Sequence, residues 1–423
     1  MAITDQTKTW LAQYNLLPAR KTAERTLFLY FAMIINLLMG FVVTKLNSAW
    51  LDINEFGIYS FLINSILFTR VALSFGLFES GARLLATSKE TEELSPVSGV
   101  IILFTLSFGL ILNGFIFIYS YFFDSIFEIH IAGLLAYFSP IVFVLMFQAM
   151  YNALLRGLGK IKLLGFFTIT PRFLYVISIS ILYYFDVFSL KSSIAAYFIT
   201  LLVIVIIFLP TLNPVFSNLK SAFNRVTGEL KSYGRHIYVA NIMTALFQHS
   251  DKIFLAYFVN EQQLAYYALA FALTFPLAHF PNALGNASFK NYANQRQLNK
   301  RHIQATVVYT VASTIILILL RNFIIIDLFG ERFEPAIISF VVLTIAFAIN
   351  GISIPYTLFF KAQKLGKTVR NITFIAQSVY VILNVLLIPF FGIIGAALAA
   401  LVAFSLDLTM YILYYNKRFQ SFK

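Results

Sequence analysis

From residue 27 to residue 415 the chain alternates between long apolar runs and short polar connections. Each run is long enough for a helix to cross a hydrocarbon core of about 30 Å, with few charged residues inside. We therefore predict an all-α integral membrane protein with about twelve transmembrane helices. The predicted spans are 27–46, 56–78, 97–123, 131–155, 163–185 and 192–212 in the first half, and 236–259, 264–289, 303–326, 335–360, 372–391 and 393–415 in the second.

The composition supports this class of protein. Hydrophobic residues make up 60% of the chain and charged residues only 12%, whereas soluble domains contain about 25% charged residues. The formal net charge is +13, but the basic residues lie in short clusters between apolar runs, which argues against nucleic-acid binding. The chain has no cysteine, so disulfides, thiolate zinc sites and a cysteine nucleophile are excluded.

The distribution of charge predicts the orientation of the chain. Lys and Arg cluster in the leader, in alternate connections and in the tail, whereas the opposite connections carry acidic residues such as Asp124 and Asp186. Because basic loops stay in the cytoplasm, we place both termini there. The acidic connections are all short, which leaves no room for the catalytic loop of a membrane enzyme.

The chain divides at its longest connection. We predict a cytoplasmic leader (1–26), a first six-helix bundle (27–212), an amphipathic linker (213–235), a second six-helix bundle (236–415) and a cytoplasmic tail (416–423). In the leader, Trp10 and Tyr14 have the spacing of a short interfacial helix, although a solvated tail is an equal alternative. The linker helix lies either on the inner leaflet, with Lys220 near anionic headgroups, or on the bundle.

The two halves are predicted to be copies of one unit. Lys45 and Lys252 are 207 residues apart, and Leu-Gly-Lys at 158–160 recurs at the same offset at 365–367. Residues 55–60 match residues 263–268 at an offset of 208. Six spans separate equivalent helices, so the copies have the same topology and form parallel repeats.

Several motifs resemble those of a known family. They are Asn-Glu-Phe-Gly-Ile-Tyr at 54–59, Gly-Ala-Arg-Leu-Leu-Ala at 81–86, Arg-Gly-Leu-Gly-Lys at 156–160 and Gly-Ile-Ile-Gly-Ala-Ala at 392–397. With them, essentially the whole chain resembles polysaccharide flippases of the Wzx type. That family belongs to the MOP (multidrug/oligosaccharidyl-lipid/polysaccharide) exporter superfamily, together with MATE multidrug extruders and the flippase of the peptidoglycan precursor. One departure is visible, because residues 186–191 in the first half do not repeat the 392–397 motif.

The resemblance implies a fold and a function. It implies two six-helix bundles around a central cavity, as in MATE proteins, located in the bacterial inner membrane. The expected activity is movement of undecaprenyl-diphosphate-linked oligosaccharides from the inner to the outer leaflet, for O-antigen or another surface polysaccharide. The expected partners are the lipid-linked oligosaccharide, membrane lipids, a polysaccharide polymerase and a chain-length regulator, with no cofactor and no metal.

Four basic residues inside the spans are candidates for binding the diphosphate. Arg70 and Arg172 fall at a similar depth in the first bundle, and two guanidinium groups suit a diphosphate because Arg presents forked donors to phosphate oxygens. The alternative is that each pairs with a buried carboxylate or a backbone carbonyl, or snorkels. Lys252 and Lys45 are further candidates, with snorkelling as the alternative. Arg321 lies near the outer boundary and is interpreted as an anchor.

Three carboxylates inside or beside the spans are candidates for coupling transport to a proton or sodium gradient, namely Asp251, Asp407 and Glu79. Charged groups within a membrane usually serve function. Ion pairing with Arg70, Arg172 or Lys252 is the equal alternative. Asp251 and Lys252 are adjacent and point about 100° apart on a helix, so we expect only one of them to face the cavity.

Other polar and helix-breaking residues extend the prediction. Asn241, Gln248 and His249 bind sugar hydroxyls or else form hydrogen bonds between helices. Pro276 and Pro281 predict a broken eighth span, which in transporters often lines the moving path. The leading interpretation is a flippase that works by alternating access. The alternatives are a multidrug or metabolite antiporter, which would need an acidic cavity, and a glycan polymerase.

Overall fold

In the computed structural model the described residues are 16–87, 91–127, 131–217, 219–363 and 365–420. They form helices joined by short turns, and this part of the chain contains no β-strand. The predicted all-α fold is confirmed. Residues 1–15, which carry Trp10 and Tyr14 of the predicted interfacial helix, lie outside the described residues, and the first helix begins at Leu16.

Eight helices form the first half, in the order α1 (Leu16–Trp50), α2 (Ile53–Ala72), α3 (Leu77–Thr87), α4 (Thr91–Phe127), α5 (Ala132–Phe138), α6 (Val144–Gly157), α7 (Ile161–Tyr184) and α8 (Leu190–Phe208). The chain bends by 60° between α2 and α3, and by 50° between the segment 132–141 and α6. Each bent pair corresponds to one predicted span, so these helices account for the first six predicted crossings.

The second half begins after the linker helix α9 (Leu219–Glu229) and contains α10 (Arg235–Phe258), α11 (Glu261–Thr274), α12 (His279–Asn294), α13 (Lys300–Leu319), α14 (Ala336–Ala362) and α15 (Gly366–Tyr415). A 3₁₀ turn at Phe275–Ala278 separates α11 from α12, which is the break predicted from the prolines. Gly392 interrupts α15 with φ 55° and ψ −131°, a conformation that glycine adopts without steric cost.

These helices match the predicted number of crossings. Eight of the described helices are long and apolar enough to cross a membrane, and the two bent pairs bring the number to ten. The break at Gly392 divides α15 into two crossings. The remaining predicted span corresponds to α10, which is 24 residues long and carries Asp251 and Lys252.

The two halves meet mainly along α2, which packs against both α10 and α11. Within the first half α1 packs against α7, and within the second half α14 packs against α12 and α15. One apolar core runs through both halves and includes the fully buried side chains of Phe61, Tyr267 and Phe347. The interface along α2 therefore decides which residues of the two halves face one another.

At the predicted outer side, contacts between the halves form what we call the outer closure. Lys45 donates a hydrogen bond to the Leu328 carbonyl, and Arg332 donates one to the Ser48 carbonyl. The rings of Phe56 and Phe333 meet edge to face with centroids 6.0 Å apart. Further contacts join Phe41 to Phe329 and place the Gly57 backbone against the Glu261 carbonyl. The path between the halves is thus closed at this end.

The linker helix α9 lies on the first bundle. Ala222 and Val226 are buried, and the ring of Phe223 stacks on Phe104 of α4 at 5.3 Å between centroids. An ion pair of 2.8 Å between Arg83 and Glu229 joins the linker to α3. This arrangement agrees with the docked alternative, and contact of Lys220 with anionic headgroups stays a prediction.

The close approach at Gly57 predicts a conformational effect. A Cβ atom at this position would clash with the Glu261 carbonyl, so we expect Gly57→Ala to weaken the outer closure and favour its opening. The measurement is the distance between spin labels on cysteines introduced at the exposed residues Ala49 and Glu334. Labelling is specific to these two positions because the chain has no cysteine of its own. The matched control is Gly114→Ala, since a Cβ at Gly114 meets nothing within 4 Å. Identical distance distributions in the two variants would contradict the prediction.

Candidate functional site

Two adjoining cavities lie between the halves. The larger has a volume of about 370 Å³ and lies between α1, α2, α10 and α11, lined among others by Asn64, His249 and Lys252. The smaller, of about 200 Å³, is lined by Arg70, Glu79 and Asn241. Gln248 borders both cavities. They therefore form one region lined by the first two spans of each half and by Ala149 of α6.

Arg70 is the cation that the structure leaves available in this region. It lies in the last turn of α2 and lines the smaller cavity. Among the described residues, its guanidinium group makes no hydrogen bond or ion pair with the protein. Glu79 lines the same cavity but pairs with Arg156 at 3.0 Å. Leaving a largely buried charge without a partner is unfavourable, so Arg70 remains the first candidate for binding an anion.

Arg172 lies on α7 and reaches toward α1. Its Nη1 donates to the Asn36 carbonyl at 2.5 Å, and its guanidinium lies against Gly40. Helix α7 continues through Pro171 without a break, so the local opening expected from that proline does not occur. The side chain is exposed and lies within electrostatic range of His279 from the second half. Arg172 thus has a backbone partner in α1 and borders neither cavity.

Tyr197 of α8 lies in the neighbourhood of both Arg70 and Arg172. Only Arg70 of the two arginines lines a cavity, so their joint action on a diphosphate stays a prediction. The sequence reasoning missed this residue. With 23 tyrosines in the chain, a tyrosine within a span gives no distinguishing signal.

A neutral polar cluster, which the sequence did not predict, lies beside the larger cavity in the first half. The Tyr175 hydroxyl is 2.8 Å from Ser193 Oγ, and Ser193 Oγ donates to Asn47 Oδ1 at 2.9 Å. Asn47 Nδ2 donates in turn to the Tyr175 hydroxyl at 3.0 Å, and Tyr59 bonds to Tyr175. Asn47 and Tyr59 also line the larger cavity. This cluster joins four spans and fixes the wall of the cavity.

A charged cluster lies at the matching place in the second half. Asp251 is fully buried, and Lys252 is 4% exposed. Lys252 Nζ lies 3.2 Å from Asp251 Oδ1, donates to the Gln248 carbonyl at 3.1 Å and stands 3.6 Å above the centre of the Phe271 ring. The Tyr267 hydroxyl donates to Asp251 Oδ2 at 2.8 Å.

The two neighbours meet although their Cβ atoms diverge, because the flexible lysine stem folds back to the carboxylate. Ion pairing, one of the two alternatives for Asp251, is therefore the arrangement observed. Lys252 borders the larger cavity, whereas Asp251 does not. The expectation that only one of the pair faces the cavity agrees with this geometry.

Comparison with known proteins gives the family. The profile of the family described as polysaccharide biosynthesis protein matches residues 50–337, more than half of the chain. The chain belongs to this family. This membership is consistent with the resemblance to polysaccharide flippases of the Wzx type, and no curated protein matches the chain significantly in sequence.

Solved structures confirm the fold. The lipid II flippase MurJ, in an inward closed conformation, matches with a TM-score of 0.75 at 16% identity, covering 93% of this chain and 89% of MurJ. An inward-facing MATE multidrug resistance transporter of the MOP superfamily has a TM-score of 0.72 at 15% identity, covering 93% of this chain and 96% of its own. A MOP superfamily transporter from Pyrococcus furiosus, described as having a binding pocket of reverse polarity, has a TM-score of 0.60 at 12% identity, with 94% and 96% covered.

Other residues predicted for the site lie elsewhere in this member of the family. Asp407 contacts Ser353 within the second half and borders neither cavity. Lys45 belongs to the outer closure, where its ammonium also lies 5.2 Å from the Phe329 ring. Arg321 follows α13 and donates to the Ile318 carbonyl of that helix at 3.1 Å, a contact that suits an anchor. The described residues contain no group of three or more potential metal ligands.

The Asp251 cluster predicts a specific loss of stability. Tyr267→Phe removes one donor from a fully buried carboxylate, which should cost about 1–3 kcal/mol. We expect a lower Tm of the detergent-solubilised protein in a thermal unfolding experiment. Tyr184→Phe is the matched control, because Tyr184 is 82% exposed and its hydroxyl should contribute little. An equal Tm for the two variants would show that the hydroxyl at 267 is not needed.

Proposed function

We propose that this chain is a flippase that carries an undecaprenyl-diphosphate-linked oligosaccharide from the inner to the outer leaflet of the bacterial inner membrane. The observation that carries the proposal is Arg70, an unpaired guanidinium in the wall of a cavity between the halves. A diphosphate fits this group because phosphate oxygens accept its forked donors, and because the charge of arginine persists at any accessible pH.

The charge balance around the cavities favours an anionic substrate. The carboxylate of Glu79 is paired with Arg156, and that of Asp251 with Lys252, whereas Arg70 keeps its charge unpaired. A multidrug antiporter that takes up cations would need a net acidic cavity. A transporter is also favoured over a polymerase. The acidic loops are too short to hold a catalytic domain, and the described residues contain no cluster of potential metal ligands.

The arrangement of the halves suits alternating access. With the outer closure formed, the substrate would load from the inner side, its diphosphate near Arg70 and Arg172 and its polyprenyl chain in the lipid. Opening the outer closure would then release it to the outer leaflet without chemical change, so the protein acts as a transporter and not as an enzyme. A polymerase and a chain-length regulator would use the product, an O-antigen or another surface-polysaccharide unit.

Reconstituted liposomes provide the decisive experiment. An undecaprenyl-diphosphate-linked oligosaccharide is placed in both leaflets, and the fraction that an external glycosidase cleaves is followed with time. We expect the parent to make the inner pool accessible and Arg70→Gln to slow this at least about tenfold, which is the effect of losing one or two charge-assisted hydrogen bonds. Arg70→Lys should retain part of the rate, because it keeps the charge but loses the fork.

Arg321→Gln is the matched control, since Arg321 is also an arginine at a predicted span but donates to the Ile318 carbonyl. Its rate should equal that of the parent. Absence of flipping by the parent protein, or equal rates for Arg70→Gln and Arg321→Gln, would exclude the proposed role of the cavity. In cells, deletion of the gene should leave the repeat unit on the inner leaflet. Unpolymerised units on the outer face would instead support the polymerase alternative.

A further inference from the structure

We propose that Lys252 is shared in turn by Asp251 and by the diphosphate of the substrate, so that binding exchanges one ion pair for another. When Lys252 turns to the substrate, Asp251 is released and takes up a proton or a small cation. The inference rests on the proposed flippase function and adds the coupling step to it.

The position of Lys252 carries the proposal. Its ammonium group contacts the Asp251 carboxylate on one side, at 3.2 and 3.4 Å. The residue also lines the larger cavity. A lysine ammonium has three donors on a flexible stem, so a small rotation of that stem moves the charge from the carboxylate toward an anion in the cavity.

The surroundings of Asp251 make this exchange costly unless a positive charge replaces the lysine. Asp251 is fully buried. The titratable groups around the pair are Tyr267 from α11, Tyr380 from α15, and His249 on α10 itself. The Tyr267 hydroxyl continues to donate to the carboxylate, but a buried carboxylate without its cation remains strongly unfavourable. A proton or a small cation restores neutrality.

Nearby cations do not substitute for Lys252. Arg70 lines the smaller cavity, whereas Lys252 lines the larger one, and in the proposed function Arg70 faces the diphosphate. His249 Nδ1 lies 2.8 Å from Asn64 Oδ1 across the interface between the halves. The anion in the cavity therefore meets Arg70 as a free cation and Lys252 as one that it must take from Asp251.

The first half has no equivalent of the Asp251–Lys252 ion pair, although the sequence predicts it to be a copy of the same unit. At the offset of 207 Lys45 matches Lys252 and Thr44 matches Asp251, and at the offset of 208 Tyr59 matches Tyr267. A threonine hydroxyl carries no charge, and Lys45 bonds to the Leu328 carbonyl in the outer closure. The exchange of ion pairs thus belongs to the second half alone.

Calorimetric titration of the purified, full-length protein with geranylgeranyl diphosphate tests the idea. Titrations in buffers of different ionisation enthalpy count the protons taken up, and titrations in sodium and choline salts detect a sodium ion. We expect the parent to take up about one proton or one sodium ion per diphosphate bound. If a proton is taken up on binding, the affinity for the diphosphate should fall by up to about tenfold for each unit by which the pH is raised.

Asp251→Asn should abolish this uptake and tighten binding by about tenfold, because Lys252 no longer has a competing charge. Lys252→Met should abolish the uptake and weaken binding, and Lys252→Arg should restore both in part. Asp407→Asn is the matched control, since that carboxylate also lies within a span but borders neither cavity, and its uptake should equal the parent's. Size-exclusion profiles and Tm values establish that each variant is folded.

The outcomes separate this inference from the function on which it rests. Ion uptake that persists in Asp251→Asn, or an unchanged diphosphate affinity in Lys252→Met, would overturn the proposal that Lys252 is shared. If Arg70→Gln still weakened binding in that case, the proposed function would stand. If Asp251→Asn fails to fold, Lys252→Met and Lys252→Arg decide the question by themselves. No binding of the diphosphate by the parent overturns both the inference and the proposed function.

Discussion

Every charge placed inside a membrane-spanning bundle must have a partner or face a polar space, because the low-dielectric interior does not solvate it. This constraint accounts for the polar architecture of the described spans. The buried carboxylate of Asp251 has Lys252 and the Tyr267 hydroxyl, while Arg172 uses a backbone carbonyl of α1. Arg70 meets the constraint in the second way, since it lines a cavity and contacts no protein acceptor among the described residues. This state is the one that the proposed function explains, because an anionic substrate would supply the missing partner.

The repeat turns one helical unit into two different functions. In each half a lysine occupies the equivalent position of the first span, and a tyrosine from the second span bonds within a polar cluster. In the first half, hydroxyl groups surround Asn47, and Lys45 donates a hydrogen bond to the Leu328 carbonyl of the second half in the outer closure. The second half keeps Lys252 at its own carboxylate, beside the cavity. If the halves are copies, as the sequence predicts, differences at single positions place closure in one copy and the proposed charge exchange in the other.

The sequence predicted features that depend on local pattern. Apolar run lengths located the crossings, the prolines located the break between α11 and α12, and the short link at Gly392 marked the division of α15. Contacts between distant segments were beyond such reasoning. Lys45 and Leu328 are 283 residues apart, and no residue pattern specifies which carbonyl a lysine reaches. Tyr197 was missed for a related reason, since its importance comes from the two guanidinium groups near it and not from its own type or spacing.

A charge-based site also explains how such a cavity could accept one end of a variable molecule. In the proposed function the diphosphate is the part that all substrates share, and a fixed guanidinium would bind it whatever sugar follows. Neutral groups that already bridge the halves, such as Asn64 and His249 at 2.8 Å, would then contact the sugar. A hydroxyl that replaces such a bridge exchanges one hydrogen bond for another, at little net cost. The binding energy for entry would thus come from the phosphates. Selection among sugars would depend on which hydroxyls can take over the contacts that hold the two halves together.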